Sequence, residues 1–176
     1  MIFEVDDLSQ ASPATVSRCG MVFMEPESLG LDPLIRSWLQ TLPELVDESC
    51  KATLWRLFDT FMRPTLQVMR RFCKELVPSV DSNLCQSCCR LINTFFTPLK
   101  VCDGEEPPSP AVIDAMRNGL ESIFLFALVW SVGGTVNEVG RLKIDAFLRS
   151  EMECAGIAKP IPADGLVYDY AWVPEE

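Results

Sequence analysis

The sequence predicts a mainly α-helical protein with two short strands near its start and a helical domain over most of its length. That expectation rests on three observations. Apolar residues recur every three or four positions over Ala52–Val77, which gathers them on one face of a helix. A side-chain cap followed by proline, the start signal of a helix, occurs at Ser12–Pro13, Asp32–Pro33 and Ser109–Pro110. Ile2, Phe3 and Val5 are strand formers in a short run closed by Asp6 and Asp7, and Met21–Met24 forms a second run after Gly20.

Between those two runs, Ser12 and Pro13 start one helical turn that leads to Arg18. A turn wedged between two central strands ends at the edge of its domain, so Arg18 projects towards a neighbour. A guanidinium is planar, permanently charged and suited to phosphate oxygens. The plainer reading is a surface arginine paired with a local carboxylate, Asp6 or Asp7.

Met24–Leu31 is a link, with Glu25–Pro26–Glu27 and Gly30 supplying turn chemistry. Asp32 then caps a helix with Pro33 as its first residue, Leu34, Ile35, Trp38 and Leu39 share its inner face, and Pro43 ends it. Over Ala52–Val77 the apolar face is Leu54, Leu57, Phe58, Phe61, Met62, Leu66, Met69, Phe72, Cys73 and Leu76. Pro64 lies inside this run and clashes with the carbonyl of Thr60, which predicts a kink near Phe61–Pro64 or two abutting helices. Arg63, Arg70, Arg71 and Lys74 form a basic cluster on the other side, read as a solvated or ion-paired face or as a binding stripe.

Asp81 caps the next helix, Leu84, Cys88, Leu91, Ile92 and Phe95 line it, and Pro98 ends it. Its Cys85–Gln86–Ser87–Cys88–Cys89 has zinc-like spacing. A structural zinc site wants four ligands, however, and the chain has no histidine and no second CxxC. Residues 85, 88 and 89 share the core face of a helix, so a core role is expected and no metal site is assigned. After a Pro- and acid-rich loop over Val101–Pro110, one helix is predicted from Pro110 to about Val132, apolar on nearly all sides beyond Leu120 and hence central. Gly133–Gly134 stops it. Thr135 and Glu138 then fit a capping box for a last helix running to about Cys154, with Leu142, Phe147, Leu148 and Met152 inward. The tail, Pro160–Pro162 and then Gly165–Tyr170, reads as a loop and a short strand.

Composition narrows the function classes. The 176 residues are 48% hydrophobic and 23% charged, enough for a packed core. A net charge of −10 argues against nucleic acid and against an anionic membrane surface as partners. Eight cysteines among apolar residues, with no basic-then-apolar leader, fit a reducing compartment. The apolar run Ile123–Trp130 is far short of a membrane span. No GxxxxGK[ST] loop occurs, nor a following strand that ends in paired acids, and without histidine a histidine-based triad is excluded. Because residue 1 stands at the head of a strand, the chain is expected to be a fragment of something longer.

The segment MIFEVDDLSQASPATVSRCGMVFMEP resembles the strand 4 to strand 5 part of the second AAA+ module of a dynein heavy chain. The string LVWSVGGTVNEVGRLKIDAFLR resembles the lid that follows that module. The likeness is strong over residues 1–26 and 120–150 and loose over 27–119. It implies that residues 1–30 are the C-terminal end of an α/β AAA+ large subdomain, 31–158 the helical lid and 159–176 a linker towards the next module. It further implies that Arg18 is an arginine finger facing the γ-phosphate of ATP in the preceding module. Glu4 or Asp6 lies near the family's sensor position; which of them is left open, and neither is the asparagine of many AAA+ modules.

The resemblance implies a segment of an ATP-driven, minus-end-directed microtubule motor. DDLSQASPATVSRCGMVFMEP and WSVGGTVNEVGR are more similar to the ciliary members, which implies the cytoplasm, the cytoskeleton and the axoneme of a cilium or flagellum. The implied cofactors are ATP or ADP with Mg²⁺ in the parent motor, none bound by this chain alone, which is expected to be inactive in isolation. The implied partners are the neighbouring AAA+ modules, with intermediate chains, light chains and microtubules reached through the parent. Composition alone also admits a stand-alone acidic helical interaction module, and the cysteines admit a thiol or metal protein.

Overall fold

The computed structural model describes residues 8–22, 29–100, 107–157 and 161–173. The chain divides into two compact units, residues 1–30 and residues 31–176.

In the first unit the Ser12–Pro13 signal does what it predicts. Ser12 is extended, its Oγ accepts the Thr15 amide at 3.2 Å, and Pro13 opens the single turn α1, Pro13–Val16. The strand expected over residues 1–5 lies outside the described residues. Of Met21–Met24 only Met21 and Val22 are described, and they are neither helix nor strand. Among the described residues the one pairing of extended backbone is a single antiparallel bridge in the second unit, Glu75 with Val136.

The second unit is helical. α2, Asp32–Gln40, buries Ile35 and Trp38. Its cap is Leu31 rather than Asp32, and Asp32 sits in the first turn, where its charge favours the helix N-terminus. The long amphipathic run begins earlier than its apolar pattern, because Asp47 caps α3, Glu48–Leu57, by accepting the Cys50 amide at 2.8 Å. The break expected at Pro64 is present in a specific form. Phe58–Met62 is a π-helical turn, and α4, Arg63–Phe72, restarts with proline in its first turn. Widening the turn before the proline relieves the clash with the Thr60 carbonyl and lets Phe58, Phe61 and Met62 all face the core. α4 stops at Phe72, and Cys73 is extended, so Leu76 is exposed instead of lining a helix face.

α5, Asp81–Phe95, is capped by Val80, with Asp81 in its first turn; Pro98 lies in a 3₁₀ turn, Thr97–Leu99, beyond its end. The single helix expected from Pro110 is two: α6, Pro110–Asn118, and α7, Leu120–Ser131. Gly119 stands at the break, and a Cβ there would overlap the Trp172 indole. The close approach of a distant aromatic therefore requires glycine at this point. Ser109 caps α6 as its sequence predicts, accepting from Val112 N. After a 3₁₀ turn at Gly133–Thr135, α8 runs over Glu138–Ala155. Asn137 caps it by accepting the Gly140 amide at 3.0 Å, while the Thr135 hydroxyl turns back to donate to Val132 O. The expected Thr135–Glu138 box does not form. Leu142 is exposed on α8, and Leu148 and Met152 are buried. Gly156 ends the helix at φ +65°, a left-handed cap. The tail forms a 3₁₀ turn at Val167–Asp169 in place of the expected strand.

α7 is the centre. Its packing against α5 is the most extensive between helices, and Ile123, Phe124, Ala127 and Leu128 are fully buried. Phe58 from the π turn meets Phe124 edge-on at 4.9 Å and Trp38 at 5.6 Å, so α2, the π turn and α7 share one aromatic core. Each such side chain contributes about 1.5–3 kcal/mol by leaving water.

Candidate functional site

The first unit presents a short turn with an arginine just beyond it. Ser12 holds the turn from its start, and its Oγ also meets Thr15 Oγ1 at 2.9 Å. Ser17 Oγ donates back to Ala14 O, and the Arg18 amide donates to Thr15 O at 3.2 Å. The backbone of Arg18 is thus fixed locally while its side chain is exposed. No ion pair involves its guanidinium among the described residues. Glu4, Asp6 and Asp7, the expected sensor and ion-pair candidates, lie outside the described residues.

The basic cluster of the second unit divides in two. Arg63 pairs with Asp32 and Asp59, and Arg70 with Glu75 and Asp81, while also donating to Ser79 O at 2.8 Å. Arg71 and Lys74 are exposed and make no ion pair among the described residues. Two of the four therefore fasten elements together, and the other two remain facing solvent.

The cysteines of α5 are buried side by side. Burial pushes the Cys88 thiol up, and hydrogen bonding to Cys85 together with burial does the same for Cys89. Such thiols stay protonated, whereas a metal ligand or nucleophile needs the thiolate. Among the described residues no group of three or more Cys, Asp or Glu is placed to hold a metal ion. Cys102 lies outside the described residues. No described helix is long and apolar enough to cross a membrane.

One feature of the second unit was not apparent from residue patterns. Residues 161–173 lie as a strap on the helices. Arg149 donates to Pro162 O at 2.7 Å and Gly165 O at 3.2 Å, and Asp145 accepts from Arg149 and from Val167 N at 2.7 Å. The Tyr168 hydroxyl donates to Gly133 O at 3.1 Å, and Trp172 meets Phe95 edge-on at 5.9 Å beside Gly119. A cavity of about 180 Å³ lies under the strap, lined mainly by apolar side chains such as Leu125, Phe126, Val129, Val167 and Trp172. The usable signal was the aromatic spacing Tyr168, Tyr170 and Trp172 in a stretch otherwise resembling a loop.

Comparison with known proteins places this helical arrangement. Residues 54–176 match the model of the dynein heavy chain AAA lid domain. The chain is similar to axonemal dynein heavy chain 1 of mouse, 39% identical over 173 residues, which is 97% of this chain and 4% of the relative. The human axonemal heavy chain 1 is 40% identical over 173 residues, with the same coverage of 97% and 4%. Human axonemal heavy chain 3 is 38% identical over 152 residues, 85% of this chain and 4% of the relative. The chain thus spans about 4% of the length of these curated relatives.

Proposed function

The chain belongs to the dynein heavy chain AAA lid family, and on that footing we propose that it acts as a segment of an ATP-driven, minus-end-directed microtubule motor of the ciliary or flagellar axoneme. The observation that carries the reading is the lid match over residues 54–176, in a chain similar along 97% of its length to axonemal heavy chains. In this reading residues 1–30 close a large AAA+ subdomain, 31–158 are its helical lid and 159–176 lead towards the next module. The parent motor binds ATP or ADP with Mg²⁺, and this segment grips no nucleotide by itself. Its immediate partners are the neighbouring AAA+ modules of the same heavy chain; intermediate and light chains and the microtubule are reached through the parent.

Arg18 is the residue this segment contributes to chemistry. The guanidinium reaches the γ-phosphate held by the preceding module and stabilises the charge that spreads over the phosphoryl oxygens during transfer. Glu4 or Asp6 lies near the sensor position in this reading, which of the two being left open. What supports the role of Arg18 is a backbone pinned by its capped turn and an exposed side chain with no ion pair among the described residues. Lid helices that share one aromatic core move as a rigid body, which suits transmission of a nucleotide-linked rotation around the ring.

The test is microtubule-stimulated ATPase of a full motor domain carrying Arg18→Ala or Arg18→Lys. An arginine finger is worth roughly 10³–10⁵ in rate at the site it serves. The expected result is a large loss of turnover with nucleotide binding retained, lysine restoring little because it lacks the planar fork. Unchanged turnover would reduce Arg18 to a surface residue and leave the lid role standing without it.

A further inference from the structure

Most of the large apolar residues of the second unit are covered, and one region departs from that pattern. Phe72 is 59% exposed, Leu76 68% and Val77 71%, and across from them Val139 is 58% and Leu142 54% exposed. These are not scattered singles. The Leu76 amide donates to Thr135 O at 2.9 Å, and the Asn137 amide to Lys74 O at 3.0 Å. Lys143 Nζ donates to Phe72 O at 2.7 Å, and the Cys73 thiol to Gly140 O at 3.7 Å. Four contacts thus clip the segment after α4 against the start of α8 and set the exposed side chains of both in one patch. A contiguous apolar patch marks a surface that is covered in use.

The charges around the patch select its occupant. Glu75 and Asp81 are both held by Arg70, so their charge is spent. Arg71 and Lys74 stand beside Phe72 and Leu76 with no ion pair among the described residues, and Lys143 stands beside Leu142. Glu138, exposed and next to Val139, is a carboxylate at the edge of the patch, set against the three cations Arg71, Lys74 and Lys143. The rim is therefore basic, on a chain whose net charge is −10. The backbone favours a helix over an added strand. Extended pairing here is limited to the single bridge of Glu75 with Val136, too short an edge to seat a strand, and Pro78 has no N–H to offer. A helix satisfies its own backbone and brings an apolar stripe with charged flanks.

We infer that the patch of Phe72, Leu76, Val77, Val139 and Leu142 is a docking surface for an amphipathic helix whose apolar stripe is flanked by carboxylates. The surface is independent of Arg18 and of any nucleotide, so it stands or falls apart from the motor reading.

The test uses the 176-residue chain and two synthetic helical peptides of about 18 residues, five turns at 3.6 residues per turn. They share one leucine stripe; one carries glutamate on its flanks and the other lysine. Binding is followed by fluorescence anisotropy. A chain of this net charge attracts the lysine peptide by its long-range field, so a preference for the glutamate peptide arises only from a local basic rim. The expected result is at least about tenfold tighter binding of the glutamate peptide. The double variant Arg71→Glu with Lys74→Glu is expected to reverse the preference. Leu76→Ser is expected to weaken binding of both peptides while the helical circular dichroism is unchanged. Binding of the lysine peptide as well as or better than the glutamate one by the unaltered chain overturns the proposal, as does failure of both to bind. Self-association of the chain that Leu76→Ser abolishes also overturns it, by naming a second copy as the occupant.

Discussion

Tyr168 is the residue whose ionisation most directly tests how the strap is held. Its hydroxyl donates to Gly133 O at 3.1 Å, its ring meets Trp130 edge-on at 6.1 Å, and Arg141 lies over its face at 5.4 Å. Burial pushes the phenol well above its ordinary value near 10, more than the neighbouring Arg141 charge draws it down. A tyrosine whose folded pKa is raised contributes stability that is complete below its unfolded value, about 10. That contribution is lost as the pH rises from there through the folded value, because the unfolded chain gives up the proton more readily. We expect the strap to be insensitive to pH between 6 and 9 and to loosen above about 10, read by hydrogen exchange of residues 161–173. Tyr168→Phe gives up the bond to Gly133, so it starts looser but loses the alkaline step. An alkaline step that persists in Tyr168→Phe would assign the loosening to other groups.

Among the elements, the strap rests on one ion pair more than on its own secondary structure. Arg149 and Asp145 lie one turn apart on α8 and meet at 3.1 Å, and between them they bond Pro162, Gly165 and Val167. Arg149→Met keeps the length of the side chain and its packing but leaves Asp145 with one partner fewer. Hydrogen bonds to charged groups contribute about 1.5–3 kcal/mol, so a destabilisation of that order is expected. Exchange should quicken over residues 161–173 and remain slow in α7 and α8. Unaltered exchange in the strap would mean that Tyr168 and Trp172 hold it alone. None of this was legible beforehand, because it joins residues far apart in sequence. The legible parts were those decided within one turn. Ser12 and Ser109 were read correctly because each is the one capping oxygen at its helix start. Thr135 was expected to cap α8, but Asn137 can cap as well, and only the 3₁₀ turn that consumes the Thr135 hydroxyl decides between them. The kink at Pro64 was legible from covalent geometry, its π form was not. The break at Gly119 depends on Trp172, and the end of α4 at Phe72 was hidden by apolar residues that continue the helical spacing into an exposed patch. For the candidate site, Arg18 stood out only through the resemblance of its string, since spacing alone favoured a surface ion pair.

At the scale of the whole molecule the two compact units differ in kind. Every buried residue among those described lies between Leu31 and Val167, and the described part of residues 1–30 buries none. A unit of that size is below the roughly 40 residues at which a domain without disulfides or metals begins to stand alone. The lid, by contrast, has a continuous core running from Leu31 through the aromatic cluster of Phe58 and Phe124 to Met152. We therefore expect a chain shortened to residues 31–176 to keep its helical circular dichroism. Its thermal midpoint should stay within about 2–4 °C of the full chain, the shift that 1 kcal/mol produces at this size. Residues 1–30 as a peptide should show no cooperative transition. A fall in midpoint well beyond that range would mean that the first unit contributes to the stability of the second.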